Sequence, residues 1–163
     1  AARARARLIL AAAVLLSYPG VPEIYYGDEI CLEGMADPFN RKTYPWGNED
    51  EHMLSRYRLM CAARARVKAM REGRCGFAAV GGDVFALLRS DTDGSCALTI
   101  VNRSEQAKHV SISTKDFTDG PDAGMLFIAK NMTDVLTGAS VACADGVINL
   151  VLPPLSGALL VNG

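Results

Sequence analysis

Asp37 and Arg41 are the two residues whose types and spacing are best suited to binding chemistry. They lie four residues apart in a segment, residues 28–48, that contains four Gly or Pro residues, and Pro38 stiffens the link between them. An aspartate supplies acceptors and an arginine supplies a planar fork of donors, which together can hold neighbouring hydroxyl groups of a ligand. The same spacing also permits a local salt bridge with no ligand. The residues alone leave both interpretations open.

Other residues of this region are weaker candidates. Asp28 and Glu29 are adjacent at the end of a predicted strand, where successive side chains point to opposite faces. They therefore cannot easily converge on one bond as a general acid and base, and we expect them to cap and salt-bridge the strand end. Trp46, the single tryptophan, could stack on a sugar ring or plug the end of the fold.

The remaining sequence contains no self-sufficient active site. The two histidines, His52 and His109, are not near a serine or cysteine in a nucleophile motif, and no phosphate-binding glycine loop or zinc motif occurs. We therefore expect no cofactor and no metal. A net charge of −1, with no basic stripe, also argues against a nucleic-acid partner.

The cysteines and the hydropathy pattern indicate the cellular compartment of the protein. Five cysteines form no Cys-x-x-Cys pair, and their odd number leaves at least one unpaired. Free thiols are typical of a reducing compartment, so we expect a cytoplasmic protein. The longest strongly apolar run, residues 8–16, is shorter than the roughly 20 residues of a membrane-spanning helix, so no membrane partner is expected.

A helix, a strand and a second helix are predicted to position the candidate residues. Residues 2–17 are rich in Ala, Leu and Arg and lack Gly and Pro, which predicts a helix that ends at Pro19-Gly20. Residues 23–27 are β-branched or aromatic in part and predict a buried strand. Residues 28–48 form a long loop. Together these elements constitute an α/β unit.

The second helix is predicted over residues 49–72. Asn48 and the acidic run that follows it are typical of a cap and first turn, and Gly73 is typical of a stop. Apolar residues recur at spacings of three and four, which indicates an amphipathic helix. Its basic residues are expected to form a solvated face. They are Arg64, Arg66, Lys68 and Arg71.

After Gly76 the composition favours strands. Gly- and Asp-rich turn signals separate short apolar runs, and seven such runs with no helical period predict an antiparallel β-sandwich or barrel. The predicted strands are residues 77–80, 84–88, 97–101, 110–113, 125–128, 147–152 and 157–161. The predicted turns are residues 81–83, 93–94, 119–121 and 145–146.

Three motifs follow one another from the predicted strand into the loop. They are YPGVPEIYYGDEI at residues 18–30, DPFNR at 37–41 and YPW at 44–46. In this order and spacing they resemble the α-amylase family of glycoside hydrolases, in particular its neopullulanase, cyclomaltodextrinase and maltogenic amylase branch. Residues 98–104, 134–138 and 152–156 are similar to that family's C-terminal β-domain, so the resemblance covers essentially the whole chain.

The resemblance implies a fold of class α/β followed by all-β. Residues 1–75 would be the last helix–strand–helix part of a (β/α)8 barrel, and residues 76–163 a C-terminal antiparallel β-sandwich. Barrel active sites lie at the C-terminal ends of the strands, where the loop of residues 28–48 emerges. The neighbours of strand 23–27 would be absent from this chain, so we expect self-association through the exposed edge.

The resemblance also implies an activity. The family hydrolyses α-glucosidic bonds with retention, and its nucleophilic aspartate, acid/base glutamate and second aspartate would all lie upstream of Ala1. The intact protein is therefore expected to be a glycosidase acting on maltodextrins, cyclodextrins or related α-glucans, and the chain alone to be inert. Asp37 and Arg41 match family residues that contact glucose units on the non-reducing side of the cleaved bond.

A different class of function is also considered. The β-rich part could be a non-catalytic carbohydrate-binding module, or it could have a purely structural role. A binding module needs an exposed row of aromatic residues, yet after residue 76 the aromatic residues are four phenylalanines, which are mostly core residues. A structural role for residues 76–163 is the preferred prediction.

Overall fold

The computed structural model describes residues 2–117 and 131–162. In the first half, the chain forms α-helices α1 (Ala2–Ser17), α2 (Glu51–Arg66) and α3 (Lys68–Glu72), and a short 3-10 helix at Asp28–Ile30. Eight strands lie within the described residues of the second half. They are β1 (Arg74–Val80), β2 (Val84–Ser90), β3 (Cys96–Asn102), β4 (Lys108–Ser113), β5 (Asn131–Asp134), β6 (Ser140–Ala144), β7 (Val147–Leu152) and β8 (Ser156–Val161).

The strands form one antiparallel ladder with the order β1-β2-β3-β8-β5-β6-β7-β4. Strand β6 joins its two parts: Met132 on β5 pairs with Val141, and Ile148 on β7 pairs with Cys143. The predicted turn at Asp145-Gly146 is a two-residue hairpin in which both residues have positive φ. The turns at residues 81–83 and 93–94 connect strands as predicted.

One apolar core collects side chains from all eight strands. Residues of β4 and β7 belong to the same buried cluster as residues of β2, β3 and β8, so the ladder folds over itself at β6. The fully buried members include Leu98, Ile100, Ile112 and Ile148. The predicted antiparallel β architecture is therefore confirmed, with a continuous ladder in place of two separate sheets.

The three helices cover the other face of the sheet. Ala97 on β3 and Leu159 and Val161 on β8 share a second buried cluster with residues of α1, α2 and α3. The fully buried side chains of Met53, Met60 and Met70 place one stripe of the α2–α3 segment in this cluster, as its amphipathic pattern predicted. The helical segment and the sheet thus stabilise each other.

The helix predictions are confirmed for α1 and need two corrections for the second helix. Asp50, and not Asn48, is the N-cap residue: its carboxylate accepts a hydrogen bond from the Met53 amide at 3.2 Å. Val67 adopts an extended conformation, with φ −84° and ψ 109°, and divides the predicted helix into α2 and α3. The predicted stop at Gly73 is the C-cap of α3.

The predicted buried strand at residues 23–27 is wrong. This segment has no regular secondary structure, and Tyr25 and Tyr26 are 52% and 42% exposed. A strand needs ladder partners, and the described residues provide no strand beside this segment. Ile24 alone retains a core contact, because it packs against the helical cluster.

Two strands were not predicted and one prediction falls outside the described residues. Strands β5 and β6 have only isolated apolar residues, Met132 and Cys143 being the buried ones, so they show no continuous apolar run. The predicted strand at residues 125–128 and the predicted turn at 119–121 lie within residues 118–130, which the structure does not describe.

Candidate functional site

The segment that connects α1 to α2, residues 18–49, carries the candidate residues and is called the site loop. One side of it is anchored, because Ile24 and Cys31 pack against the helical core and Ile30 is buried. Gly27 lies at a sharp turn with φ 94°, where its carbonyl accepts a hydrogen bond from the Leu32 amide at 2.8 Å. A Cβ at Gly27 would lie 2.8 Å from Leu32, so this turn requires glycine.

Asp37 and Arg41 lie together on the exposed side of the site loop. Arg41 Nε donates to Asp37 Oδ1 at 3.0 Å, and the two side chains are 62% (Asp37) and 70% (Arg41) exposed. An exposed pair of this kind stabilises the fold by at most about 1 kcal/mol. Among the described residues the other guanidinium N–H groups and Asp37 Oδ2 have no hydrogen-bond partner. The pair is thus a local salt bridge that still presents donors and acceptors to a ligand.

The site loop also carries exposed aromatic residues. Trp46 is 80% and Phe39 69% exposed, and Tyr25 and Tyr26 are also exposed. The Tyr44 and Trp46 ring centroids are 4.5 Å apart, and the Tyr26 hydroxyl donates to the Lys42 carbonyl at 2.9 Å. Trp46 therefore does not fill the core of the described residues. Such a concentration of exposed apolar rings is typical of an interaction surface.

Asp28 and Glu29 lie in the 3-10 helix that follows the turn at Gly27. The Glu29 carboxylate accepts a hydrogen bond from the Gly27 amide at 2.8 Å, which ties the start of this helix to the turn. Neither residue forms a salt bridge with the described residues, and the strand end that they were predicted to cap is absent, so this prediction is wrong. Burial raises the pKa of Tyr57 to about 12, and the nearby Asp28 and Glu29 charges add to this shift.

Arg64 was expected on a solvated face, and this expectation is wrong. It donates to the carbonyls of Leu16, Tyr18 and Gly20 at 2.7, 3.2 and 2.5 Å. The acceptors are backbone atoms, which every sequence has, so no pattern of residue types could have indicated these contacts.

The other members of the basic cluster also differ from one another. Lys68 forms ion pairs with Asp91 at 2.7 Å and with Asp93 at 3.5 Å, and Arg71 donates to the carbonyls of Arg64 and Ala65. Arg66 is exposed and makes no hydrogen bond or ion pair with the described residues. The prediction of a solvated face holds for Arg66, Lys68 and Arg71, which are all exposed, and fails for Arg64.

No group of three or more His, Cys, Asp or Glu side chains that could hold a metal ion occurs in residues 2–117 and 131–162. None of the helices in these residues is long and apolar enough to cross a membrane. Cys31, Cys61, Cys75 and Cys96 are free thiols, of which Cys96 is buried and the other three are half-buried. Burial raises the pKa of the Cys96 thiol to about 12.

Comparison with known proteins identifies relatives along nearly the whole chain. An amylopullulanase of Thermoanaerobacter thermohydrosulfuricus is 35% identical over 166 residues, which cover 96% of this chain and 11% of the relative. A cyclomaltodextrinase of Geobacillus thermopakistaniensis is 31% identical over 142 residues, which cover 85% of this chain and 22% of the relative. The chain belongs to the α-amylase family of glycoside hydrolases.

Solved structures of α-amylase-family proteins have the same fold. The cyclic α-maltosyl-(1→6)-maltose hydrolase of Arthrobacter globiformis is 32% identical and superposes with a TM-score of 0.68 over 95% of this chain and 30% of that chain. No family model matches the sequence. The chain thus spans about one tenth to one third of the α-amylase-family proteins to which it is similar.

Proposed function

We propose that this chain is the C-terminal part of a longer retaining glycosidase that hydrolyses α-glucosidic bonds in maltodextrins, cyclodextrins or related α-glucans. Residues 1–75 would complete a (β/α)8 barrel, and residues 76–163 would form the C-terminal β-sandwich domain. The names of the relatives support this proposal: an amylopullulanase, a cyclomaltodextrinase and a cyclic maltosyl-maltose hydrolase. The free thiols support a cytoplasmic location.

We further propose that the chain alone is catalytically inert. A retaining glycosidase needs two carboxyl groups about 5 Å apart on either side of the bond that is cleaved. In the site loop, the Glu29 carboxylate accepts a hydrogen bond from the Gly27 amide and the Asp37 carboxylate one from Arg41, and we assign these contacts to loop structure and sugar binding, not to such a pair. The catalytic carboxylates would therefore lie in the part of the longer protein that precedes Ala1.

Asp37 and Arg41 are proposed to bind glucose units of the substrate. The observation that carries this proposal is their exposed pairing, which leaves further donors and an acceptor free in a loop that also carries exposed aromatic rings. A carboxylate and a guanidinium of this kind can bind neighbouring hydroxyl groups of one sugar, and aromatic rings can stack on its apolar face.

The experiment that tests the activity compares two proteins. The 163-residue chain and the protein encoded by the reading frame that includes the codons upstream of Ala1 are each incubated with maltotriose and with a cyclodextrin, and early products are followed by proton NMR. We expect no hydrolysis by the chain, and by the longer protein we expect products that first appear as the α anomer. Hydrolysis by the chain alone, first products of the β anomer, or a reading frame that begins near Ala1 would each contradict the proposal.

A structural role is proposed for the β-rich part in preference to carbohydrate binding. Phe117 packs against the sheet core, and Phe77 and Phe85 are half-buried with ring centroids 6.0 Å apart. The fourth phenylalanine, Phe127, lies outside the described residues. Val151 is the large apolar residue that is exposed in the described part of this region, so the described strands show no row of exposed rings. Retention of residues 76–163 on a starch column would contradict a purely structural role.

We also propose that the isolated chain self-associates through its exposed apolar side chains. Leu15, Tyr18 and Val21 are 42%, 51% and 97% exposed next to the site loop. In the longer protein the proposed barrel would cover them, and in the isolated chain a second copy would. A monodisperse monomer in size-exclusion chromatography with light scattering would contradict this.

A further inference from the structure

We infer that Arg64, assisted by Arg89, is a positioning residue that holds the start of the site loop and thereby places Asp37 and Arg41. This inference rests on the proposed sugar-binding role of Asp37 and Arg41, because Arg64 and Arg89 would not contact the sugar themselves. The observations that carry it are the contacts of the two guanidinium groups with the C-terminal end of α1.

Arg89 is a buried cation whose hydrogen-bond partners are backbone carbonyls. It projects from β2, is 1% exposed, and donates to the carbonyls of Ser17, Met70 and Gly73 at 2.9, 3.0 and 2.7 Å. No carboxylate of the described residues forms an ion pair with it. The carbonyls at helix C-termini carry partial negative charge and lack intrahelical donors, which is why a buried guanidinium is stable here.

Arg64 holds the next part of the same chain segment. Its three carbonyl acceptors, Leu16, Tyr18 and Gly20, lie on either side of the Ser17 carbonyl that Arg89 binds. Two guanidinium groups therefore fix four carbonyls between residues 16 and 20, one from α2 and the other from the sheet. These are the residues at which α1 ends and the site loop begins.

The face of α2 that carries Arg64 also supports the anchored side of the loop. Tyr57, Cys61 and Arg64 are spaced by four and three residues, so they lie along one side of α2. Tyr57 interacts with the charges of Asp28 and Glu29, and Cys61 packs against the same helical core as the loop residues Ile24 and Cys31. The loop thus follows one helix face from Gly20 to the 3-10 helix.

Loss of the Arg64 contacts should loosen the loop and leave the sheet intact. Arg64 is half-buried, so water can reach part of the site when the guanidinium is removed. Hydrogen bonds from a charged donor stabilise by about 1.5–3 kcal/mol, which corresponds to roughly a tenfold to hundredfold change in a local opening equilibrium. Amides inside β2, β3 and β8 depend on the sheet core and are not expected to change.

The first test is hydrogen exchange of the 163-residue chain. In Arg64→Met, the amides of residues 28–32 are expected to exchange at least about tenfold faster, while amides of β3 keep their protection. Arg66→Met is the matched control, since it removes the same charge from the same helix without a hydrogen bond to lose. Unchanged exchange in the loop, or equal acceleration in loop and sheet, would overturn the inference.

The second test measures maltotriose kinetics in the longer protein. Arg64→Met is expected to raise KM by about tenfold with a smaller change in kcat, whereas Arg66→Met leaves both unchanged. An unchanged KM despite faster loop exchange would overturn the positioning role. If Arg41→Ala also leaves KM unchanged, the proposed sugar-binding role of the pair has failed, and the exchange experiment still decides whether Arg64 holds the loop.

Discussion

Large apolar side chains are buried in the β-rich part and exposed in the site loop. In the sheet, Leu98, Ile100 and Ile112 have no exposed surface, whereas Trp46 and Phe39 in the loop are 80% and 69% exposed. The sheet therefore contains the partners that its side chains need. The loop does not, which is consistent with a surface that another part of a longer protein or a ligand covers.

Arg89 and Arg41 show the same difference between a buried and an exposed side chain. Arg89 is buried between two helix ends with its hydrogen bonds satisfied by carbonyls, whereas Arg41 is exposed and uses one N–H group on Asp37. A side chain that is fully bonded inside the fold contributes to stability, and one with free donors on the surface is available for binding. The comparison separates residues that hold the fold from residues that could contact a substrate.

The largest expected effect is on the sheet core. Ile100→Ala removes fully buried methyl and methylene groups and should lower the free energy of unfolding by about 2–5 kcal/mol. Phe39→Ala, the control in the site loop, should change it by no more than about 0.5 kcal/mol because the ring is exposed. Urea denaturation followed by circular dichroism measures both. Similar losses for the two variants would remove the distinction between the regions.

The next largest loss of stability is expected when the buried Arg89 is replaced. Arg89→Met leaves four carbonyls without the donor that Arg89 supplies and should lower the free energy of unfolding by about 2–4 kcal/mol. Arg41→Met should cost at most about 1 kcal/mol, because it breaks one exposed ion pair. Chemical denaturation measures the free energy of unfolding that each variant loses. An equal cost would mean that the carbonyl contacts of Arg89 contribute little.

A smaller loss of stability is expected at alkaline pH, where the Cys96 thiol ionises. Burial raises the pKa of the Cys96 thiol from its ordinary value of 9.0 to about 12, so the unfolded state loses its proton first. Stability should be unaffected by this group below pH 9 and should fall as the pH rises from 9 toward 12. Cys96→Ala should show a shallower decline in melting temperature over this range. An identical decline in both proteins would show that Cys96 is not responsible.

The sequence predicts elements well where their stability is local. Residues 2–17 are strong helix formers, and the buried stripe of Met53, Met60 and Met70 follows from spacing alone. The hairpin at Asp145-Gly146 follows from turn chemistry. Prediction failed where the outcome depends on distant partners: residues 23–27 have strand composition but no neighbouring strand, and β5 has partners but no apolar run.

The candidate site is predictable only in part for a similar reason. Asp37 and Arg41 could be selected from their types and spacing, and their pairing follows from proximity along the chain. Arg64 and Arg89 could not be selected, since their acceptors are carbonyls that lie many residues away. A charged residue that binds backbone atoms leaves no pattern in the sequence.

The measurement that tests the central claim most directly is the maltotriose kinetics of Arg41→Ala in the longer protein. Lys42→Ala is the matched control, because Lys42 is the exposed neighbouring cation and its side chain makes no hydrogen bond or ion pair with the described residues. We expect kcat/KM to fall by roughly tenfold to a hundredfold in Arg41→Ala, with an unchanged melting temperature, and to stay the same in Lys42→Ala. Unchanged kinetics in Arg41→Ala, or equal losses in both variants, would contradict the claim that the site loop contacts the substrate.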